Sequence, residues 1–273
     1  MKKFTFLLSY AILISFFAAG SVNSQTTPVS NKPFFTIDVS GGANIPLLDL
    51  KGNGPLEFYN FQNYGVDIGP SAAINVKMAV LTRKMLQLRL YAIIGYAHFS
   101  NPGTGGIDIP AFQPNGWPIY NKTYSYLGSG TSSIRINQPY GGLGFEYAQY
   151  TDRDGKSSFN FGLDVVMSFI TGRAYQTTVL GVEEFNTLHA NPRLGFGFNL
   201  FWNYRFSNAV GMNVGSRFQF SNLIGKSSSL TDESGYMFLN DEANTSLNIN
   251  MQNNRNIAFV GFFGGISFYF GKK

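Results

Sequence analysis

The chain has 273 residues, with 20 Lys and Arg against 15 Asp and Glu, 13% charged and 16% aromatic residues, 31 Gly and no Cys. Soluble domains carry about 25% charged residues, so about half of the usual solubilising charge is missing, and a mean hydropathy of -0.03 then requires apolar and polar residues to alternate finely. The aromatic content excludes a disordered chain and the Gly content a helical bundle. The lack of Cys excludes a disulfide framework, thiol catalysis, a Cys-ligated metal site and a lipid anchor on an N-terminal Cys.

Lys2 and Lys3 precede an apolar run from Phe4 to Ala19, and Gly20 to Ser24 supply small residues, the pattern of a cleaved secretory signal. The run is short for the roughly 20 residues of a membrane-spanning helix, and polar Gln25 to Asn31 follow it. Residues 1–24 therefore read as a signal peptide and 25–273 as one exported domain. Cleavage leaves 18 basic against 15 acidic residues, a net +3, which gives no footing for nucleic acid.

The exported part reads as strands. Phe35, Ile37 and Val39 alternate with Thr36, Asp38 and Ser40 in the first; Val66, Ile68, Pro70, Ala72, Ile74, Val76, Met78 and Val80 alternate with Asp67, Gly69, Asn75 and Lys77 in the second. Leu86, Leu88, Leu90, Ala92, Ile94 and Tyr96 face away from Gln87, Arg89 and Gly95 in the third, as Leu143, Phe145 and Tyr147 do from Gly142, Gly144 and Glu146 in the fourth. The fifth sets Phe159 to Phe169 against Asn160, Gly162, Asp164 and Ser168. From Leu188 the alternation continues for seventeen residues, to Tyr204, and is read as strand six, with Arg193 and, one residue further, Arg205 on the polar face. Val210, Met212, Val214, Phe218 and Phe220 oppose Asn213, Arg217 and Gln219 in the seventh. Val260, Phe262, Ile266, Phe268 and Phe270 form one face of the eighth. Soluble strands average about five or six residues; alternation this long suits tilted strands that cross a bilayer.

Connection lengths alternate as well, at about 22, four, 33, eight, twelve, three and 34 residues in chain order, the long-loop and short-turn asymmetry of outer-membrane barrels. The fold class expected is all-β: an antiparallel up-and-down transmembrane β-barrel of about eight strands. Ten strands are the alternative if Leu247, Ile249 and Met251 belong to an extra hairpin.

With its signal sequence, alternating strands and C-terminal Ile266-Ser267-Phe268-Tyr269-Phe270, the chain resembles the small Gram-negative outer-membrane β-barrel proteins of the OmpA-like and PorT-like kind. The resemblance implies residence in the cell outer membrane, contact with its lipid and lipopolysaccharide, a monomeric barrel, and Phe268 and Phe270 as a signal read by the barrel-assembly machinery. It implies no cofactor and no peptidoglycan-binding domain. An extracellular or secretion-system protein partner is open.

Alternation assigns Asp38, Asp67, Lys77, Arg89, Glu146, Asp164, Arg193, Arg205 and Arg217 to the inward face. In a barrel of about eight strands the interior is just wide enough for side chains to fill it, so these read as a salt-bridged polar plug; the alternative is a narrow passive pore for ions or small solutes. His98, Ser100, Asn101 and Gly103, where the third strand ends, are similar to the His-x-Ser-Asn-x-Gly segment of PagL-like lipid A deacylases. That resemblance implies an ester hydrolase with Ser100 as nucleophile, His98 as base, and Asn101 with Gly103 at the oxyanion; the alternative is a strand end followed by a turn. His98 and Ser100 share the lipid side of the strand by parity with Ile94 and Tyr96. Trp117, Tyr120, Tyr124 and Tyr126 in the second long loop are candidates for binding a partner or sugar. Two His without a carboxylate cluster make no metal site.

Overall fold

The computed structural model describes residues 32–54, 57, 63–101, 108–112, 118–125, 131–178, 181–189, 192–226, 236–238 and 254–272. The proposed signal peptide and the Leu247–Met251 alternation fall outside them. Long strands dominate: β1 (Pro33–Leu48), β2 (Gly69–Arg83), β3 (Leu86–Asn101), β6 (Thr131–Tyr150), β7 (Ser157–Phe169), β10 (Pro192–Arg205), β11 (Val210–Ile224) and β13 (Ile257–Lys272). Five short ones join them: β4 (Asp108–Phe112), β5 (Pro118–Ser125), β8 (Thr171–Thr178), β9 (Gly181–His189) and β12 (Tyr236–Phe238).

Among the described residues, the eight long strands close into a ring in the order β1, β2, β3, β6, β7, β10, β11, β13 and back to β1, every pair antiparallel. Closure leaves no free edge on which backbone groups would lack partners. The turns that join β2 to β3, β6 to β7 and β10 to β11 lie at one end with both chain ends of the ring. Asp152 shapes one of them, its Oδ1 accepting from the backbone N–H of Lys156 at 2.9 Å and of Ser157 at 3.1 Å. The opposite end carries the long connections.

Period two puts apolar side chains outside. Ile94 and Leu143 are each 72% exposed, and Leu163 is 58% exposed beside Phe161 and Val165, while the residues between them point inward. Trp202, Tyr204 and Phe206 follow one another toward the short-turn end, the first pair of rings tilted and the second edge-on, with centroids 5.9 and 5.6 Å apart, as aromatics gather at a membrane interface.

Two features depart from the alternation. The seventeen-residue run beginning at Leu188 is two elements, because β9 ends at His189 and β10 begins at Pro192; alternation of residue types along the chain does not mark that boundary. β6 is also longer than the barrel requires. Its Tyr140–Tyr150 half pairs with β7, and its Thr131–Asn137 half pairs with β8. β8 and β9 form a hairpin on this extension, and β12 lies parallel beside β9, so a sheet rises from one side of the long-loop end.

Candidate functional site

Toward the short-turn end, Lys77 Nζ lies 2.8 Å from Asp38 Oδ2 and 2.5 Å from Glu146 Oε2. Arg89 Nη1 donates to Glu146 Oε1 at 2.9 Å, its Nε to Gln87 Oε1 at 2.8 Å and its Nη2 to the Tyr150 hydroxyl at 2.7 Å. Higher in the lumen, Arg217 grips Asp164 through two parallel bonds of 2.8 Å, while Tyr91 donates to Asp164 Oδ2 at 2.5 Å. Three cations thus face three anions, all almost wholly buried. The pairs sit where β1, β2, β3 and β6, and then β7 and β11, turn the same parity inward. A buried charge is tolerated when it is paired and its remaining donors are satisfied, and these are.

Glycines make the room. A Cβ on Gly197 would stand 2.2 Å from Arg217 Nη2 and 2.6 Å from Asp164 Oδ1; one on Gly95 would stand 2.3 Å from Cζ of Tyr140, whose ring lies under the Arg217 guanidinium at 5.4 Å. Interior glycine here is space already occupied by a neighbour's long side chain.

Above the polar layers the lumen turns apolar. Leu50, Tyr64, Val66, Phe99, Ile134, Ile136, Ile170, Ile257 and Phe259 form one buried cluster, with the Phe99 and Phe259 rings 5.6 Å apart. Leu50, Tyr64 and Val66 come from the first long connection, which folds back across the barrel mouth. Backbone bonds hold it there: Tyr64 N–H to Asp49 O at 2.7 Å and Val66 N–H to Leu50 O at 3.3 Å, with Asn101 Nδ2 donating to Gly52 O at 3.1 Å and the Asn256 N–H to Asp49 Oδ2 at 2.7 Å. Gly65 permits the fold, since it holds φ +74 and a Cβ there would meet Gly54 O at 2.1 Å. Sequence reasoning missed this cap, because Leu50 and Tyr64 sit in a connection without period two and Val66 was assigned to the outward face of the second strand.

The remaining inward-face assignments divide. Arg193 is buried at the long-loop end of β10, and Arg205 at the short-turn end, where its Nη2 donates to Asp154 O at 3.1 Å. Asp67 is a correction: it is exposed, precedes β2, and its Oδ1 accepts from the Ile68 N–H at 2.7 Å. Val66 is drawn into the cap, so the β2 alternation begins at Gly69 rather than at Val66.

His98 and Ser100 stand on the outward side of β3. His98 Nδ1 is 2.8 Å from Asn137 Oδ1, which also accepts from the Tyr96 hydroxyl at 2.6 Å. With that oxygen as acceptor, His98 donates through Nδ1 and keeps Nε2 free to accept. Asn137 faces His98 across the β3–β6 register; it was legible only once that register was known. No hydrogen bond joins His98 to Ser100 among the described residues, and Asn101 is turned to Gly52. Gly103, Trp117 and Tyr126 lie outside the described residues, as do the side chains of Tyr120 and Tyr124 in β5. His189 ends β9, opposite Phe238 of β12. Phe268 and Phe270 face outward on β13, opposite Ile37 and Phe35 of β1. Among the described residues no group of three or more metal-binding side chains occurs.

A closed antiparallel ring, a filled polar-to-apolar interior and an apolar outer surface define a transmembrane β-barrel of the outer-membrane type. No family model and no curated protein matches the sequence. Among solved structures the chain is similar to the outer membrane protein OprG from Pseudomonas aeruginosa, with 10% identity, 89% of this chain and 98% of that one covered and a TM-score of 0.41. It is similar to Neisserial surface protein A, with 10% identity over 89% of this chain and all of that one at a TM-score of 0.38. The outer membrane protease OmpT from Escherichia coli is similar at 10% identity over 91% of this chain and all of that one, also at 0.38.

Proposed function

We propose that this protein is a plugged monomeric barrel of the outer membrane, exported through its N-terminal signal, whose role is structural or interactional: it holds four long connections at the cell surface on a rigid, non-conducting base. The observation that supports this most is the filling of the lumen. Paired charges occupy its lower layers and the Leu50–Tyr64–Val66 cap its upper one. The long-loop end then faces outside, and its partners are lipopolysaccharide and a surface or secretion-system protein. Phe268 and Phe270 at the chain end are the residues we assign to recognition by the assembly machinery. Planar-bilayer recording tests the reading: the refolded protein is expected to insert without conductance steps, and discrete steps that shift on neutralising Arg217 would replace it with a passive pore.

A second reading rests on the His98–Asn137 contact, which orients an imidazole on the lipid side two residues from Ser100. It makes the protein a lipid A ester hydrolase with Asn137 as the orienting group, Ser100 as nucleophile and His98 as base, the resemblance to the deacylases giving Asn101 and Gly103 the oxyanion role. Mass spectrometry of lipid A from cells expressing wild type or Ser100→Ala decides it, since only an enzyme removes an acyl chain in a Ser100-dependent way.

A further inference from the structure

Tyr96 follows Ile94 on the lipid-facing side of β3 and precedes His98 on the same side. Its neighbours in register are Ala72 on β2 and Pro139 on β6, and neither side chain can accept a hydrogen bond. A phenol at the edge of an apolar band needs an acceptor for its proton. Asn137 Oδ1 supplies it at 2.6 Å, from the diagonal position on β6. The same oxygen lies 2.8 Å from Nδ1 of His98, which stands directly opposite Asn137 in the register. Arg135, the next outward side chain of β6, lies 4.6 Å over the Tyr175 ring of β8, and the Asn137 amide is left to serve β3.

An amide can turn either of its ends to β3, and the two ends fix opposite tautomers of His98. With Nδ2 toward β3, the amide would donate to Nδ1, His98 would carry its proton on Nε2, and the phenol proton would have no side-chain acceptor among these neighbours. With Oδ1 toward β3, the amide accepts from the phenol and from Nδ1–H together, and Nε2 is the acceptor of the ring. The phenol therefore selects the amide end, and the amide end selects the tautomer. A neutral histidine in water prefers the other one, with its proton on Nε2, so the selection has to be imposed by the barrel wall.

We propose that Tyr96 is a positioning residue: acting through Asn137, it holds His98 as the Nδ1–H tautomer and so keeps Nε2 as a standing proton acceptor where the apolar band ends. The inference deepens the ester-hydrolase reading and rests on that reading for its use. There the Ser100 proton passes to Nε2 as Oγ bonds to the ester carbon, and Nε2 returns it to the departing alkoxide; a water then yields its proton to Nε2 as it releases the acid and Ser100.

The chain has two histidines, and His189→Gln leaves His98 alone. This full-length parent is refolded in micelles with isotope-labelled histidine and checked for heat-modifiable migration, and NMR at a pH where the imidazole is neutral reads the tautomer. The parent ring is expected to be mainly Nδ1–H, and Tyr96→Phe to move the majority to Nε2–H. Tyr96→Phe/Asn137→Asp is expected to return it to Nδ1–H, because both ends of a carboxylate accept and no phenol is needed to choose between them. An Nε2–H ring in the folded parent overturns the proposal whether or not the variants fold, as does an unmoved ring in folded Tyr96→Phe or no return in the folded double variant. Lipid A from cells expressing the same proteins is compared by mass spectrometry, where Tyr96→Phe is expected to slow deacylation about tenfold, a part of what a positioned base supplies, and the double variant to restore it. Lipid A left intact by a parent whose ring is Nδ1–H overturns the hydrolase reading and upholds the positioning by Tyr96.

Discussion

Arg217 and Asp164 meet through two parallel hydrogen bonds of 2.8 Å between β11 and β7, on the floor left open by Gly197 of β10. Breaking one side of such a buried pair leaves a charge without its partner, at a cost of about 3–5 kcal/mol, whereas removing both sides costs much less. Asp164→Asn and Arg217→Met are each expected to lower stability by that amount, and the double variant to recover most of it. Urea unfolding in micelles, followed by gel mobility, measures the three values.

Gly95 tests whether interior glycines serve packing. A methyl at this position overlaps the Tyr140 ring, and overpacking of this kind costs about 1–3 kcal/mol. Gly95→Ala is expected to lose that much, and Tyr140→Leu in the same chain to restore part of it. An equal loss with and without the tyrosine would assign the effect to backbone curvature instead.

On the outer face, depth sets the penalty for charge. Leu163 lies in the middle of the apolar band of β7, and Ile68 at its long-loop edge just before β2. Leu163→Arg is expected to cost about 2–4 kcal/mol and Ile68→Arg about 0–1 kcal/mol. Refolding yields into phosphatidylcholine vesicles across urea concentrations report both.

Lys32 lies outside the span, at the short-turn end. Its ammonium donates to the Lys84 carbonyl at 2.7 Å and to that of Arg83, and stands 4.6 Å over the Tyr150 ring. Burial, with the charge of Arg89 adding to it, lowers its pKa from 10.5 to about 8. Between those values the unfolded chain holds a proton that the folded one has released, so stability rises with pH through that window and is flat below it. The stability difference between wild type and Lys32→Met is expected to grow from pH 8 to pH 10.5; a difference independent of pH would contradict the assignment.

Much of the barrel was legible in the sequence because one physical rule, a lipid-facing side chain at every second position, governs each spanning strand from Phe35 to Phe270. The same rule placed Asp38, Lys77, Glu146, Asp164 and Arg217 on one face, and a narrow lumen then requires that they meet. It failed where lipid no longer dictates the residue. Parity ran past the boundary between β9, which ends at His189, and β10, which begins at Pro192, and it carried Asp67 inward, although Asp67 precedes β2. The cap of Leu50, Tyr64 and Val66 and the contacts of Asn137 and Arg135 depend on register between distant strands, which alternation within a single strand does not encode.

The chain has no Cys, so single cysteines can be placed one at a time along β7 from Phe159 to Phe169, in protein folded into vesicles, and probed with a lipid-soluble quencher and a water-soluble thiol reagent. A membrane-spanning barrel with a filled lumen predicts quenching at Phe161, Leu163, Val165 and Met167, and at Asn160, Gly162, Asp164 and Ser168 neither quenching nor reaction with the aqueous reagent. Aqueous labelling of the second set in a folded protein would mean an open lumen, and aqueous labelling of the first set would mean that no bilayer surrounds these strands.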